Sequence, residues 1–151
     1  MQTKFSIRVF CFLAVGVTAL SGALFKPGAW YASLVKPFWT PPNLVFPIAW
    51  TVLYLMIAVA GVLLFEGSVR ILKQLWVLQL ALNGFWSWLF FGQHWVLLGM
   101  LDMVLLLVTI AWLAVLAFSR NLVAAWLLVP YLAWVAYAST LNLGIYILNG
   151  H

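Results

Sequence analysis

WTPPNLVFPIAW, residues 39–50, sets two Trp around three Pro and then runs straight into an apolar segment. Pro41, Pro42 and Pro47 fix backbone φ and limit the freedom of the connector. Trp39 and Trp50 are therefore held with less ordering entropy to lose on binding. Stiff aromatic material at the head of a hydrophobic helix is expected to line the entrance to a pocket.

The rest of the chain says what kind of helix this is. Only seven Lys or Arg and two Asp or Glu occur in 151 residues, far below the quarter or so of charged residues usual in soluble domains. A membrane span needs roughly 20 mostly apolar residues at about 1.5 Å rise each. Five segments qualify, at about 5–25, 44–65, 71–92, 95–118 and 122–148. The connectors EGSVR (66–70), GQHW (92–95) and SRN (119–121) are short, which makes neighbouring helices antiparallel. Residues 26–43 form the exception. A connector of that length is functional or disordered, and its Trp, Tyr and Phe content argues against disorder. The expected fold is all-α: one domain over 1–151, a bundle of five transmembrane helices with a long ordered loop between the first two.

Lys4, Arg8 and the apolar run that follows, ending at Ser21-Gly22-Ala23, also fit a signal peptide. The run is long for such a segment, and a retained helix is the expectation. The net charge of +5 is spread between apolar runs, with no basic stripe for nucleic acid. Lys4, Arg8, Arg70, Lys73 and Arg120 fall on one side and only Lys26 and Lys36 on the other. That places the N-terminus in the cytoplasm, in an inner membrane, because bacterial outer membranes hold barrels. The single Cys11 excludes an internal disulfide.

Polar side chains in hydrocarbon face the bundle interior or a cavity. Gln79, Asn83 and Ser87 follow at steps of four and share one helix face, flanked by Trp86 and Phe90. Trp134, Ala138 and Asn142 share a face on the fifth segment, and Phe46, Trp50 and Tyr54 on the second. Each Asn alone is as well explained by a bond to a neighbouring helix, worth about 0.6 kcal/mol. Three converging stripes of aromatic and amide groups favour a cavity for a flat apolar ligand. Interfacial belting explains Trp30, Trp76, Trp95 and Trp126. Asp102 reads as structural, near a helix start and paired with an interior amide or a basic helix end. Ala14, Thr18 and Gly22 permit close helix approach, either inside the bundle or in a dimer. No spacing of His and Cys suits a metal, and neither a phosphate loop nor a Ser/His/Asp set occurs.

Three runs, KPFWTPPNLVFPIAWTVLY (36–54), QLALNGFWSWLFFG (79–92) and VPYLAWVAYASTLN (129–142), together closely resemble the TspO/translocator protein family, also called tryptophan-rich sensory or peripheral benzodiazepine receptor proteins. The resemblance covers about 26–150. It implies a five-helix membrane receptor or regulator, forming a homodimer, that binds protoporphyrin IX or haem in a cavity closed by the first loop. No obligatory cofactor is implied. Some bacterial members promote light-dependent porphyrin breakdown through two Trp, which correspond to Trp50 and Trp134. The resemblance implies Tyr31, Trp39 and Pro42 in the lid and Asn83 as the polar contact; together with the three stripes, the expected ligand-binding residues in the bundle are Phe46, Trp50, Tyr54, Asn83, Trp86, Ser87, Phe90, Trp134, Ala138, Leu141 and Asn142. Two positions depart from the family: Leu44 stands where many relatives have Trp, and no basic residue follows Tyr137 or Tyr146, which argues against the sterol pattern of animal members. Stacking on Trp and Tyr faces and carboxylates met by Lys26, Lys36 or interior amides would suit a porphyrin. The alternative is a transporter of porphyrins or other lipophilic molecules. A cation–drug exporter would need a carboxylate deeper than Asp102, and a purely structural partner protein would show no saturable porphyrin quenching.

Overall fold

The computed structural model describes residues 2–67 and 69–150. Its long helices are α1 (Gln2–Leu24), α3 (Val45–Gly67), α4 (Arg70–Ser87), α5 (Val96–Phe118) and α6 (Leu122–Asn149). The short helix α2 (Ala29–Ser33) lies inside the first connector. Five helices are long and apolar enough to cross a membrane, matching the five expected segments to within a few residues. Ser68, in the expected connector 66–70, lies outside the described residues, as does His151.

Local chemistry accounts for the helix ends. Asn121 caps α6 by accepting a bond from the Ala124 amide at 3.0 Å, satisfying one of the donors a helix start leaves open. Gly150 closes α6 in the left-handed region at φ 67°, where a glycine meets no Cβ penalty. Pro130 sits inside α6, an interruption that membrane helices tolerate when neighbours re-satisfy the freed backbone. At the end of α4 the chain widens into a π-helical turn, Trp88–Gly92. One wider turn shifts the register, so that adjacent Phe90 and Phe91 both face inward, as π turns often do at functional sites.

Each long helix packs mainly on two neighbours, in the order α1–α3–α6–α5–α4 around a closed ring, and α3 also touches α4. The packing is uneven along the bundle axis. Ile57, Leu64, Leu72, Trp76, Leu113 and Leu128 are fully buried, and all belong to the end remote from the 26–43 loop. There the Trp76 indole lies so close to Gly61 that a Cβ would overlap it, and its N–H donates to the Ile57 carbonyl at 3.0 Å. This corrects the expectation that Trp76 belongs to an interfacial belt: it is a core residue seated in a glycine notch. Trp95 and Trp126 are exposed on the bundle surface. Trp30 is half-buried and stacks on His94, with ring centres 4.1 Å apart.

The small residues of α1 serve internal packing. A Cβ on Gly84 of α4 would meet Ser21 Cβ at 3.7 Å and Thr18 Cγ2 at 3.8 Å. Ser21 donates to the Gly84 carbonyl and Thr18 to the Leu80 carbonyl. The first segment is thus an integral wall of the bundle.

Candidate ligand-binding cavity

At the loop end the ring of helices encloses a cavity of about 720 Å³. Every long helix contributes to its wall, and the three stripes expected from the sequence meet in it. Phe46, Trp50 and Tyr54 come from α3. Asn83, Trp86 and Ser87 come from α4, and Phe90 from the π turn. Trp134, Ala138, Leu141 and Asn142 come from α6. Tyr31 reaches the cavity from α2, and burial raises the pKa of its phenol above the ordinary value.

The aromatic walls are ordered by ring contacts. Trp50 and Trp134 stand almost perpendicular, at 87°, with centres 6.5 Å apart. Trp50 stacks on Tyr54 at 5.2 Å, Trp86 on Phe90 at 5.1 Å, and Phe46 meets Trp134 edge-on at 5.9 Å. Such offset and edge-to-face pairs fix ring planes more firmly than apolar contact alone.

Below the rings runs a directed chain of hydrogen bonds. The Tyr54 hydroxyl donates to Asn83 Oδ1 at 2.9 Å, and Asn83 Nδ2 donates to the Tyr131 oxygen at 3.0 Å. The Tyr131 hydroxyl donates to Gln79 Oε1 at 2.9 Å, and Gln79 Nε2 to the Trp76 carbonyl at 2.9 Å. Asn83 therefore does both things weighed for it: it ties three helices together and faces the cavity. Tyr131, fully buried at the centre of this chain, was not singled out from the sequence. It stands three residues before Trp134, on the adjoining face of α6.

Asn142 behaves differently. It is only 2% exposed, it lines the cavity, and neither amide atom has a hydrogen-bond partner among the described residues. Trp86 and Trp134 line the cavity, and their indole N–H groups are also buried without a partner among the described residues. Asp102 is buried on α5 outside the cavity lining, and its Oδ2 has no partner among the described residues; the basic or amide neighbour expected for it is not found there.

Two residues expected at the ligand do not line this cavity. Trp39 lies against the outside of α6: its N–H donates to Thr140 Oγ1 at 3.2 Å, and its carbonyl accepts from the Tyr137 hydroxyl at 2.7 Å. Pro42 is exposed and accepts from the Val45 amide at 2.9 Å, turning the chain into α3. Both position the loop. Leu44, the departure from the family pattern, is exposed and also lies outside the lining. Lys36 turns back on its own loop, bonding the Leu34 carbonyl and lying 4.7 Å from the Tyr31 ring. Sequence reasoning missed Phe91, Met103 and Leu106 in the wall; Phe91 is brought there by the π turn, which carries no local sequence mark. Among the described residues no group of His, Cys, Asp or Glu could hold a metal.

A bundle of five spanning helices, solid at one end and hollow and aromatic at the other, defines an integral membrane protein with an internal small-molecule cavity. The chain belongs to the TspO/MBR family, whose sequence profile matches residues 9–148. It is 44% identical over 146 residues to the tryptophan-rich protein TspO of Chlorobaculum tepidum, covering 91% of this chain and 90% of that one. It is 40% identical over 149 residues to the tryptophan-rich sensory protein of Cereibacter sphaeroides, covering 94% and 90%. The similarity extends to animals: the translocator protein of Sus scrofa is 37% identical over 119 residues, covering 75% of this chain and 70% of that protein.

Proposed function

We propose that the chain is a membrane receptor for tetrapyrroles such as protoporphyrin IX and haem, bound in the aromatic cavity, and that it promotes slow light-dependent porphyrin loss through Trp50 and Trp134. The observation that carries this reading is the pairing of Trp50 and Trp134 at 6.5 Å on one wall of a 720 Å³ cavity. Flat, electron-rich rings stack with indole faces, and the Asn142 amide and Trp134 indole, on cavity-lining residues and without partners among the described residues, can turn to hydrogen-bond polar groups on a ligand rim. The same reading places the protein as a homodimer in an inner membrane with its N-terminus in the cytoplasm, on the side where Lys4, Arg8, Arg70, Lys73 and Arg120 gather.

The test is a titration of purified protein with protoporphyrin IX, followed by tryptophan quenching in the dark and by porphyrin absorbance under light. Saturable quenching is expected from the unaltered protein. Trp50→Phe and Trp134→Phe are expected to slow porphyrin loss more than they weaken binding. Quenching that never saturates removes the receptor, and equal photochemistry in both variants removes the catalytic part.

A further inference from the structure

The cavity is roofed on one side and open on another. Its roof, the 26–43 loop, is fastened to α6. Asn149 grips the backbone of Val35 from both sides, accepting from its amide at 3.0 Å and donating to its carbonyl at 2.9 Å. Trp39 is held by Thr140 and Tyr137, and Pro37 lies on Gly144 so closely that a Cβ there would overlap it. The long-range hydrogen bonds of this loop run to α6.

The wall between α1 and α3 is built differently. These helices are joined at the end remote from the loop, where Arg8 pairs with Glu66 at 3.6 Å and Phe10 meets Phe65 at 5.4 Å. Towards the loop, α1 is tied instead to α4 through Thr18 and Ser21. Among the residues that α1 and α3 present to the cavity, Gly22 and Ala23 on one side and Pro47 and Thr51 on the other are small. All four line the cavity and are exposed, whereas Phe46, Trp50 and Tyr54 on the same wall are half-buried. A side chain that does both marks an opening in the wall, and on this face of a spanning helix the outside is lipid. At the loop end of the opening stands Lys26, which lines the cavity, is exposed, and has no hydrogen bond or ion pair among the described residues.

We propose that the cleft between the loop-side halves of α1 and α3 is a lateral portal, through which the cavity exchanges its ligand with the surrounding leaflet, and that Lys26 at its rim selects planar lipophiles carrying a carboxylate. This rests on the proposed function for the identity of the ligand and adds its route and a specificity residue. A flat apolar molecule with a rim carboxylate settles in the leaflet with its apolar body among acyl chains and its charge at headgroup depth. That is the depth at which a Lys ending a spanning helix holds its ammonium. Such a ligand can pass between small side chains without unfastening the roof. Once inside, it lies against Asn142 and Trp134 on the cavity wall.

The experiment uses the full chain in lipid nanodiscs with protoporphyrin IX and its dimethyl ester as probes, following tryptophan quenching after rapid mixing. Ala23→Phe and Thr51→Phe narrow the cleft and are expected to slow both association and release by about tenfold while the dissociation constant changes much less. Leu24→Phe, beside the cleft but outside the cavity lining, is expected to exchange ligand at the rate of the unaltered protein. Lys26→Gln is expected to weaken protoporphyrin IX by roughly threefold, as for other exposed charge pairs, and to leave the ester unchanged. Unaltered rates in both cleft variants, together with faster binding in Asn149→Ala, place the route through the roof and overturn the portal. An equal loss for acid and ester in Lys26→Gln overturns the rim assignment. Absence of saturable binding by the unaltered protein overturns the proposed function and the portal with it, and is told apart because it appears before any variant is compared.

Discussion

Two asparagines line the same cavity, and replacing each by leucine should move stability in opposite directions. Asn83 bonds the Tyr54 hydroxyl at 2.9 Å and the Tyr131 oxygen at 3.0 Å. Asn83→Leu leaves Tyr54 with no acceptor at depth and takes a donor from Tyr131, which keeps its bond to Gln79. At about 0.6 kcal/mol for each bond between membrane helices, the loss is about 1 kcal/mol at the least. The desolvated Tyr54 hydroxyl raises it to about 1–3 kcal/mol. Asn142 has two amide atoms out of reach of solvent with no partner among the described residues. Asn142→Leu, close to it in volume, removes that unpaired group and should stabilise the unliganded protein by about 1 kcal/mol. At about 2–4 °C per kcal/mol for a chain of this length, each variant lies at least about 2 °C from the parent, on opposite sides, and the two are at least about 4 °C apart. Thermal unfolding in detergent, without ligand, reads this directly. The same Asn142→Leu protein should bind protoporphyrin IX roughly two- to tenfold more weakly, the value of one net hydrogen bond. A lower melting temperature for Asn142→Leu than for the parent would show that Asn142 holds the fold, and the argument from its unpartnered amide would fail.

Two further outcomes follow from close contacts. Gly61→Ala pushes a methyl into the Trp76 indole, so overpacking should cost about 1–3 kcal/mol, read as a lower melting temperature. Asn149→Ala removes both bonds to Val35 while leaving the helical core untouched; proteolysis and amide exchange within 34–40 should rise with little change in melting temperature.

The spans were legible because hydropathy is local: a run such as VLLGMLDMVLLLVTIAWLAVLAF declares itself without knowledge of its neighbours. The three inward stripes were legible for a similar reason, since a step of four residues keeps one helix face whatever that face meets. What the sequence concealed depends on pairs distant along the chain. Nothing near Trp76 shows that Gly61 will present a notch for its ring, so headgroup belting was the natural reading. Trp39 belongs to a motif rich in rings, yet its position is decided by Thr140 and Tyr137, 98 or more residues away. Tyr131 and Gln79 find each other across two helices, a contact that neither flank announces. The fold was therefore readable in full outline and the site in its helical part, while the loop's share required the tertiary structure.

The unevenness along the axis explains how so small a protein carries an opening at its centre. An unpaired amide and two unpaired indole N–H groups each disfavour the unliganded state, and a cavity forfeits the dispersion contacts its lining would otherwise make. These penalties fall on the loop-side half. The opposite half compensates with dense packing: the Trp76–Gly61 notch and the apolar cluster from Ile57 to Leu128. Asn83 stands at the boundary, its amide completing the hydrogen-bonded floor that joins α3, α4 and α6 and its surface forming part of the cavity. A ligand that satisfies Asn142 and the indoles stabilises the hollow half by mass action. Because the solid half is already packed without a ligand, releasing one would leave the fold standing.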